Sequence, residues 1–152
     1  MSGDFFDTSV LLYLLSEDTE KADRAEALVR AGGGISVQVL NEAASVMRRK
    51  LGMSWRETRE FLVLLRGLLD VAPVTVETHD LGLEFAERYG LSIYDSMIAA
   101  AAALKGSARL WSQDMQHGMR IGKGLRVEIR SKGLEPEAGE SRSPTKWNYR
   151  GS

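Results

Sequence analysis

The stretch that decides the fold lies near the start of the chain and reads DFFDTSVLLYLL, residues 4–15. It begins with a short apolar run that stops at acidic and hydroxyl residues, which is typical of a buried strand that ends there. The apolar residues 10–15 follow at once and predict a buried helix, with Thr8 or Ser9 as its cap. The chain therefore opens with a strand and a helix joined by a very short loop.

The same alternation of strands and helices continues along the chain. Apolar periodicity, Gly and Pro positions and a capping-box spacing at Ser54 to Glu57 set the expected boundaries. We expect strands at 35–37, 71–76, 109–114 and 125–129, and helices up to 31 and at 38–51, 54–69, 78–89 and 95–104. Strands that alternate with helices of this length are joined by right-handed crossovers. The pattern predicts a three-layer α/β/α domain with a central, mostly parallel sheet.

Length and composition fit one soluble globular domain. The 152 residues are 43% hydrophobic and 27% charged, which excludes wholesale disorder. We expect residues 1–133 to form the domain and residues 134–152, which are rich in Glu, Gly, Ser and Pro, to form a flexible tail. No apolar run approaches the length of about 18 residues that a membrane span needs, so we expect a cytoplasmic protein without membrane contact.

The charge balance and the metal-binding residue types narrow the chemistry. Twenty Lys and Arg against 21 Asp and Glu give a net charge of −1, which excludes a globally basic nucleic-acid binder. Cysteine is absent and there are two histidines, His79 and His117, so any bound metal must use oxygen or imidazole ligands.

Two acidic residues follow predicted strands. Asp7 ends the first strand, and in open α/β sheets ligands bind outside the carboxyl ends of the strands. Asp114 ends the strand at 109–114, where the two-residue period puts Ser112 on the same face. Each also has a simpler explanation: Asp7 as the cap of the next helix, and Asp114 as an ordinary loop residue.

Two more acidic residues lie on the inner faces of predicted helices. Glu42 shares the apolar stripe of its helix with Val39 and Val46, although a surface glutamate at the edge of that stripe fits the pattern as well. Asp95 begins the alanine-rich helix on its apolar face, where it can also act as the N-cap. A helix so poor in bulky side chains can approach a sheet closely.

These four carboxylates predict a cation site. Together they carry a charge of −4 at one edge of the sheet, and such a cluster needs a divalent cation to hold it. Ligation by oxygen atoms alone selects magnesium or manganese. Ions of this kind bind phosphates, lower the pKa of bound water and stabilise charge on a phosphodiester transition state.

The motifs that carry these acids resemble those of PIN-domain ribonucleases, and most closely of the VapC toxins of prokaryotic toxin–antitoxin pairs. The resemblance spans residue 4 to about residue 130. Its pieces are FDTSVL (6–11), Glu42, YDSMIAA (94–100) and WSQDMQHG (111–118).

The resemblance implies a magnesium- or manganese-dependent endoribonuclease that hydrolyses RNA through a metal-activated water. It assigns the catalytic and metal-binding roles to Asp7, Glu42, Asp95 and Asp114. Thr8 and Ser112 are expected as polar supports. The family often has Asn where this chain has Ser9, a change that can alter hydrogen bonding around the site without removing a metal ligand.

The resemblance also implies partners. A VapB-like antitoxin is expected to lay an apolar segment across the third and fourth helices, to contact Trp55, Leu62 and Leu65, and to reach an Arg or Lys toward the acids. A homodimer is expected as well. The run Arg48 to Lys50 is a candidate contact for RNA phosphates, although basic runs of this size are common on solvated surfaces.

Two other functions compete with the nuclease. A catalytically silent PIN scaffold would act as an RNA- or protein-binding partner, but the complete set of four acids favours catalysis. A phosphatase of the haloacid-dehalogenase type needs a second Asp two residues after its nucleophile, and Ser9 stands at that position relative to Asp7.

Overall fold

The computed structural model describes residues 3–113, 115, 118–122 and 124–128. The strands in these residues are β1 (Asp4–Phe6), β2 (Gly34–Ser36), β3 (Asp70–Ala72), β4 (Arg109–Trp111), β5 (Arg120–Ile121) and β6 (Leu125–Glu128). The helices are α1 (Thr8–Leu12), α2 (Thr19–Arg30), α3 (Val37–Arg49), α4 (Trp55–Leu68), α5 (Val76–Tyr89) and α6 (Ile93–Lys105), and a 3₁₀ turn at Tyr13–Leu15 follows α1.

In the described part of the chain the strands form one sheet in the order β3-β2-β1-β4-β6-β5. The neighbouring strands from β3 to β6 pair in parallel, and β5 pairs with β6 in antiparallel orientation. Right-handed crossovers then place α1–α4 on one face of the sheet and α5 and α6 on the other. The predicted three-layer fold with a mostly parallel sheet is confirmed. The strand order reverses between β1 and β4, which makes their carboxyl ends the switch point of the sheet.

The alanine-rich helix α6 is held close to its neighbours because its side chains are small. Ala99 to Ala102 are almost completely buried and belong to the main hydrophobic core, together with the strand residues Phe5 and Leu110. Helix α5 packs tightly on α6 at Gly82, where a Cβ atom would lie 2.5 Å from the sulfur of Met97. This close packing fixes the direction in which the first turn of α6 points.

Helix α4 starts with the capping box that its sequence predicts. The Ser54 hydroxyl accepts from the Glu57 backbone N–H at 3.0 Å, and the Glu57 carboxylate accepts from the Ser54 N–H at 2.9 Å. The hydrogen bonds from Ser54 lower the pKa of Glu57 below its ordinary value. A carboxylate with a lowered pKa contributes to stability at neutral pH, and that contribution is lost as the pH falls through this pKa.

Some predicted boundaries and exposures were wrong. The strand expected at 71–76 ends at Ala72, because Pro73 has no N–H for the ladder and Thr75 caps α5 instead. Strand β5 was not predicted, since its two residues are too short for an alternating pattern. Leu65, expected as a contact for the antitoxin, is fully buried in the core.

Several expectations fall on residues that the structure does not describe. Asp114 and the predicted tail at 134–152 lie outside the described residues. No helix in the described ranges is both long and apolar enough to cross a membrane.

We expect Gly82→Leu to destabilise the fold by about 1–3 kcal/mol, because the new side chain overpacks the contact between α5 and α6. The same substitution at Gly67, an exposed position in α4 with nothing within 4 Å of its Cβ, is the matched control. It should be neutral or slightly stabilising, because leucine favours a helix over glycine. Urea denaturation measures the free energy of unfolding of both variants. Equal stabilities of Gly82→Leu and Gly67→Leu would contradict the close packing.

Candidate active site

The Asp7 side chain lies at the carboxyl end of β1, and its environment is unusual for an acid. It is 1% exposed, caps α1 and accepts from the Val10 N–H at 3.3 Å through Oδ1. The same oxygen accepts a hydrogen bond from the Ser9 hydroxyl. The cap of α1 is therefore Asp7, which confirms the simpler explanation given for this residue and corrects the prediction of Thr8 or Ser9 as the cap. A charged group buried in this way needs such donors to remain stable.

The residues after β4 complete this edge of the sheet. The Asp7 N–H donates to the Trp111 carbonyl at 3.1 Å, so the ends of β1 and β4 lie side by side. Ser9 Oγ also accepts from the Gln113 N–H at 3.2 Å. Ser112 is completely buried, and its hydroxyl accepts from the Met115 N–H at 3.3 Å. Hydrogen bonds thus connect Asp7 to the segment that carries Ser112.

The hydroxyl of Thr8 adds a polar atom to the same edge. Thr8 is buried, and its Oγ1 has no hydrogen-bond partner among the described residues. A buried hydroxyl without a protein partner is costly unless another group satisfies it. This atom can therefore contact a polar group bound beside Asp7.

Glu42 lies in the second turn of helix α3, which begins at this edge. The helix begins directly after β2, where the Ser36 hydroxyl accepts from the Val39 N–H at 3.3 Å and caps it. Because β2 is parallel to β1, the start of α3 lies at the same edge of the sheet as Asp7. Glu42 is half-buried, and its Oε2 accepts from the Gln38 amide at 3.2 Å.

Asp95 approaches from the opposite face of the sheet in the first turn of α6. The helix leads into β4 and so runs antiparallel to it, which puts its N-terminus at the carboxyl edge. Its other end is fixed by Lys105, whose Nζ lies 3.4 Å from the Asp70 carboxylate at the start of β3. The cap of α6 is Ser92, which accepts from the Asp95 N–H at 3.1 Å, so the prediction of Asp95 as a cap was wrong.

The observations that place the predicted site residues at this edge thus differ from residue to residue. Direct hydrogen bonds join the surroundings of Asp7 to those of Ser112, whereas the chain topology carries Glu42 and Asp95 to the same edge. No group of three or more Asp, Glu or His within the described ranges is positioned to hold a metal ion. Asp114 and His117 lie outside those ranges.

The family resemblance linked Ser9 to hydrogen bonding around the site, but the sequence did not reveal its partners. Its hydroxyl connects a carboxylate two residues before it with a backbone N–H 104 residues after it. The only local signal was its position in the first turn of the helix that Asp7 caps, where a short hydroxyl side chain can reach back to the cap residue.

The fold and this edge define a class of protein: a doubly wound α/β domain with a buried carboxylate at its switch point. The sequence matches the model of the PIN domain over residues 5–117, and the chain belongs to the PIN domain family. No curated protein matches the sequence.

Solved structures with a similar fold include VapC toxins and their complexes. VapC20 of Mycobacterium tuberculosis, described as a toxin that cleaves the sarcin–ricin loop, is 22% identical and has a TM-score of 0.59, over 70% of this chain and 86% of its own. The DNA-bound VapBC of Salmonella typhimurium is 20% identical with a TM-score of 0.61, over 86% of this chain and 99% of its own. VapBC-5 of M. tuberculosis is 21% identical with a TM-score of 0.52, over 85% of this chain and 99% of its own. The predicted membership of the PIN family is therefore confirmed, and the chain shares the fold of these VapC structures.

We expect Ser9→Ala to destabilise the protein by about 1–3 kcal/mol, because it leaves the Gln113 N–H unsatisfied and removes a donor to Asp7. Ser45→Ala, at an exposed position on α3, is the matched control and should have little effect. Urea denaturation of both variants tests this, and an unchanged stability of Ser9→Ala would contradict the network.

Proposed function

We propose that the protein is a metal-dependent endoribonuclease, a VapC-like toxin that hydrolyses RNA phosphodiester bonds. One observation carries the proposal: in a PIN-family chain, the buried carboxylate of Asp7 stands at the switch point of the sheet. Ligands of open α/β sheets bind in the crevice at this point. The proposed catalytic residues are Asp7, Glu42, Asp95 and Asp114.

The donor chemistry of the proposed residues suits a hard divalent cation, whereas Asp7, Glu42 and Asp95 do not by themselves form a metal-binding group in the described ranges. The proposed donors are all carboxylates, and the unsatisfied hydroxyl of Thr8 is available beside Asp7 for a coordinated group. Such a set of oxygen donors favours Mg²⁺ or Mn²⁺. We assign Asp7 and Asp95 as the principal ligands, with Glu42 and Asp114 completing the set directly or through water. When bound, the ion would activate a water molecule and neutralise charge on the phosphate.

The chain's own contribution is to hold these oxygens in place. Ser9 and the Val10 N–H fix the position of Asp7 Oδ1. The Ser112 hydroxyl accepts a hydrogen bond from the Met115 N–H, which fixes the backbone that follows β4. Side chains fixed in advance lose little entropy when a ligand binds, and the geometry needed for reaction is already present.

We expect Asp7→Asn to reduce metal-dependent cleavage of a labelled RNA mixture by about 100-fold or more. The substitution keeps the shape of the side chain but removes the ligand charge, and even the loss of groups that support a metal ligand costs about 10- to 100-fold. The assay compares added Mn²⁺, added Mg²⁺ and EDTA.

Asp80→Asn provides the matched control, because it makes the same chemical change at an exposed position of α5. It should cleave at the rate of the native protein. Equal cleavage by Asp7→Asn and Asp80→Asn would refute the site. Cleavage by no variant would instead favour the silent PIN scaffold that binds RNA or protein.

We also propose a VapB-like antitoxin as the partner and the cytoplasm as the place of action. Similar structures include a toxin–antitoxin complex from Klebsiella pneumoniae, 19% identical, with a TM-score of 0.59 over 73% of this chain and 86% of its own. Helix α4 offers a surface for such a partner, because its residues Val63, Leu64 and Leu68 are exposed. We call this surface the apolar stripe of α4. A homodimer through the same stripe is the alternative occupant.

We expect Leu64→Glu to weaken binding of the antitoxin encoded by the adjacent gene by at least about tenfold. Burial of one leucine contributes about 1.5–3 kcal/mol, and each 1.4 kcal/mol corresponds to a factor of ten. Leu83→Glu, at an equally apolar exposed position of α5, is the control. Titration calorimetry with separately purified partners measures the antitoxin affinity of both variants. Sedimentation of the native toxin and of Leu64→Glu, each without antitoxin, shows whether a dimer uses the stripe.

A further inference from the structure

The turn between α3 and α4 concentrates positive charge. Residues 48–60 contain five basic and two acidic residues, a net charge of +3 in a chain whose overall net charge is −1. We call this surface the basic turn, and its residues are Arg48, Arg49, Lys50, Trp55, Arg56 and Arg59. All except the half-buried Arg48 are exposed.

Helix electrostatics explain only part of this charge. Basic residues in the last turn of α3 complement the negative end of its macrodipole. The same rule disfavours basic residues at the start of a helix, yet Arg56 and Arg59 lie in the first two turns of α4. The helix dipoles therefore do not account for the accumulation on both sides of the turn.

An exposed tryptophan lies in the middle of the basic turn. Trp55 is 57% exposed, and the guanidinium carbon of Arg48 lies 4.3 Å from its ring centroid. Arg48 is itself held by donating through Nη1 to the Met53 carbonyl at 2.5 Å. One face of the indole is thus covered by a fixed cation and much of the remaining surface is open. Such a platform suits the stacking of a nucleic-acid base.

The basic turn is aligned with one of the proposed catalytic acids. Arg49 lies seven residues after Glu42 on α3, which places both on the same face of the helix. Seven residues rise about 10 Å along the axis.

We propose that the basic turn binds the single-stranded part of an RNA substrate next to the cleaved bond, and this inference rests on the proposed function. Arg49 and Lys50 contact phosphates, and Trp55 stacks on a base. The RNA is single-stranded at this point because a base can stack on a protein side chain only when it leaves its own helix.

The test measures RNA binding in the Asp7→Asn background, so it does not depend on cleavage. The probe is a short fluorescein-labelled oligouridylate, followed by anisotropy. We expect Trp55→Ala to weaken binding about 5- to 150-fold and Trp55→Phe to retain most of the affinity, because phenylalanine can still stack. A blunt RNA duplex should bind much more weakly than the oligouridylate.

A second measurement isolates the phosphate contacts. The double variant Arg49→Ala/Lys50→Ala should lower the slope of log Kd against log salt by about 1.4, since each phosphate contact on a single strand contributes about 0.7. The control Arg30→Ala/Arg88→Ala removes the same charge from exposed positions on α2 and α5 and should leave the slope unchanged.

The outcomes separate this inference from the nuclease. Binding that depends on the basic turn without any cleavage by the native protein supports the inference and contradicts the proposed activity. Cleavage together with equal slopes for the two double variants, or with no effect of Trp55→Ala, overturns the inference alone. Loss of antitoxin binding with unchanged RNA affinity in the turn variants assigns the surface to a protein partner and also overturns it.

Discussion

The structure depends on how the chain buries the carboxylate of Asp7. A charge removed from water is costly unless hydrogen-bond donors replace the lost solvent, and the Ser9 hydroxyl and the Val10 N–H supply them. Both donors exist because α1 begins directly at Asp7, so the strand has to end at Phe6. The same residue joins β1 to β4 through its N–H, which donates to the Trp111 carbonyl. One buried acid thus sets the end of a strand, the start of a helix and the contact at the switch point.

The packing of α6 determines where a second acid of the candidate site, Asp95, lies. A helix with alanines on its inner face lies close to the sheet, and Gly82 lets α5 lie equally close on top of it. The ion pair of Lys105 with Asp70 holds the far end of α6. The N-terminal turn with Asp95 is therefore positioned by contacts made elsewhere along the helix. Steric constraints remote from the edge determine where this carboxylate lies.

Most of the fold could be predicted from local pattern, because strands and helices differ in their apolar period. Errors occurred where one residue overrode the pattern: Pro73 ended a strand early, and Ser92 rather than Asp95 capped α6. The candidate site was predictable only as four acids, two at strand ends and two on the inner faces of helices. The bond between Ser9 and the Gln113 N–H joins distant parts of the chain and leaves no local signal. Asp114 lies outside the described residues, so its place in the site stays a prediction.

Helix α4 links the two proposed partners. Its first turn carries Trp55 and belongs to the basic turn, whereas its second half exposes the apolar stripe with Val63 and Leu64. Nine residues, or about 2.5 turns, separate Trp55 from Leu64, so the two side chains lie on opposite sides of the helix. The basic turn and the apolar stripe are therefore separate surfaces of one helix. On these proposals an antitoxin that covers only the stripe leaves the stacking platform open. Inhibition of cleavage then requires a further contact, such as a basic side chain of the antitoxin that reaches the carboxylates.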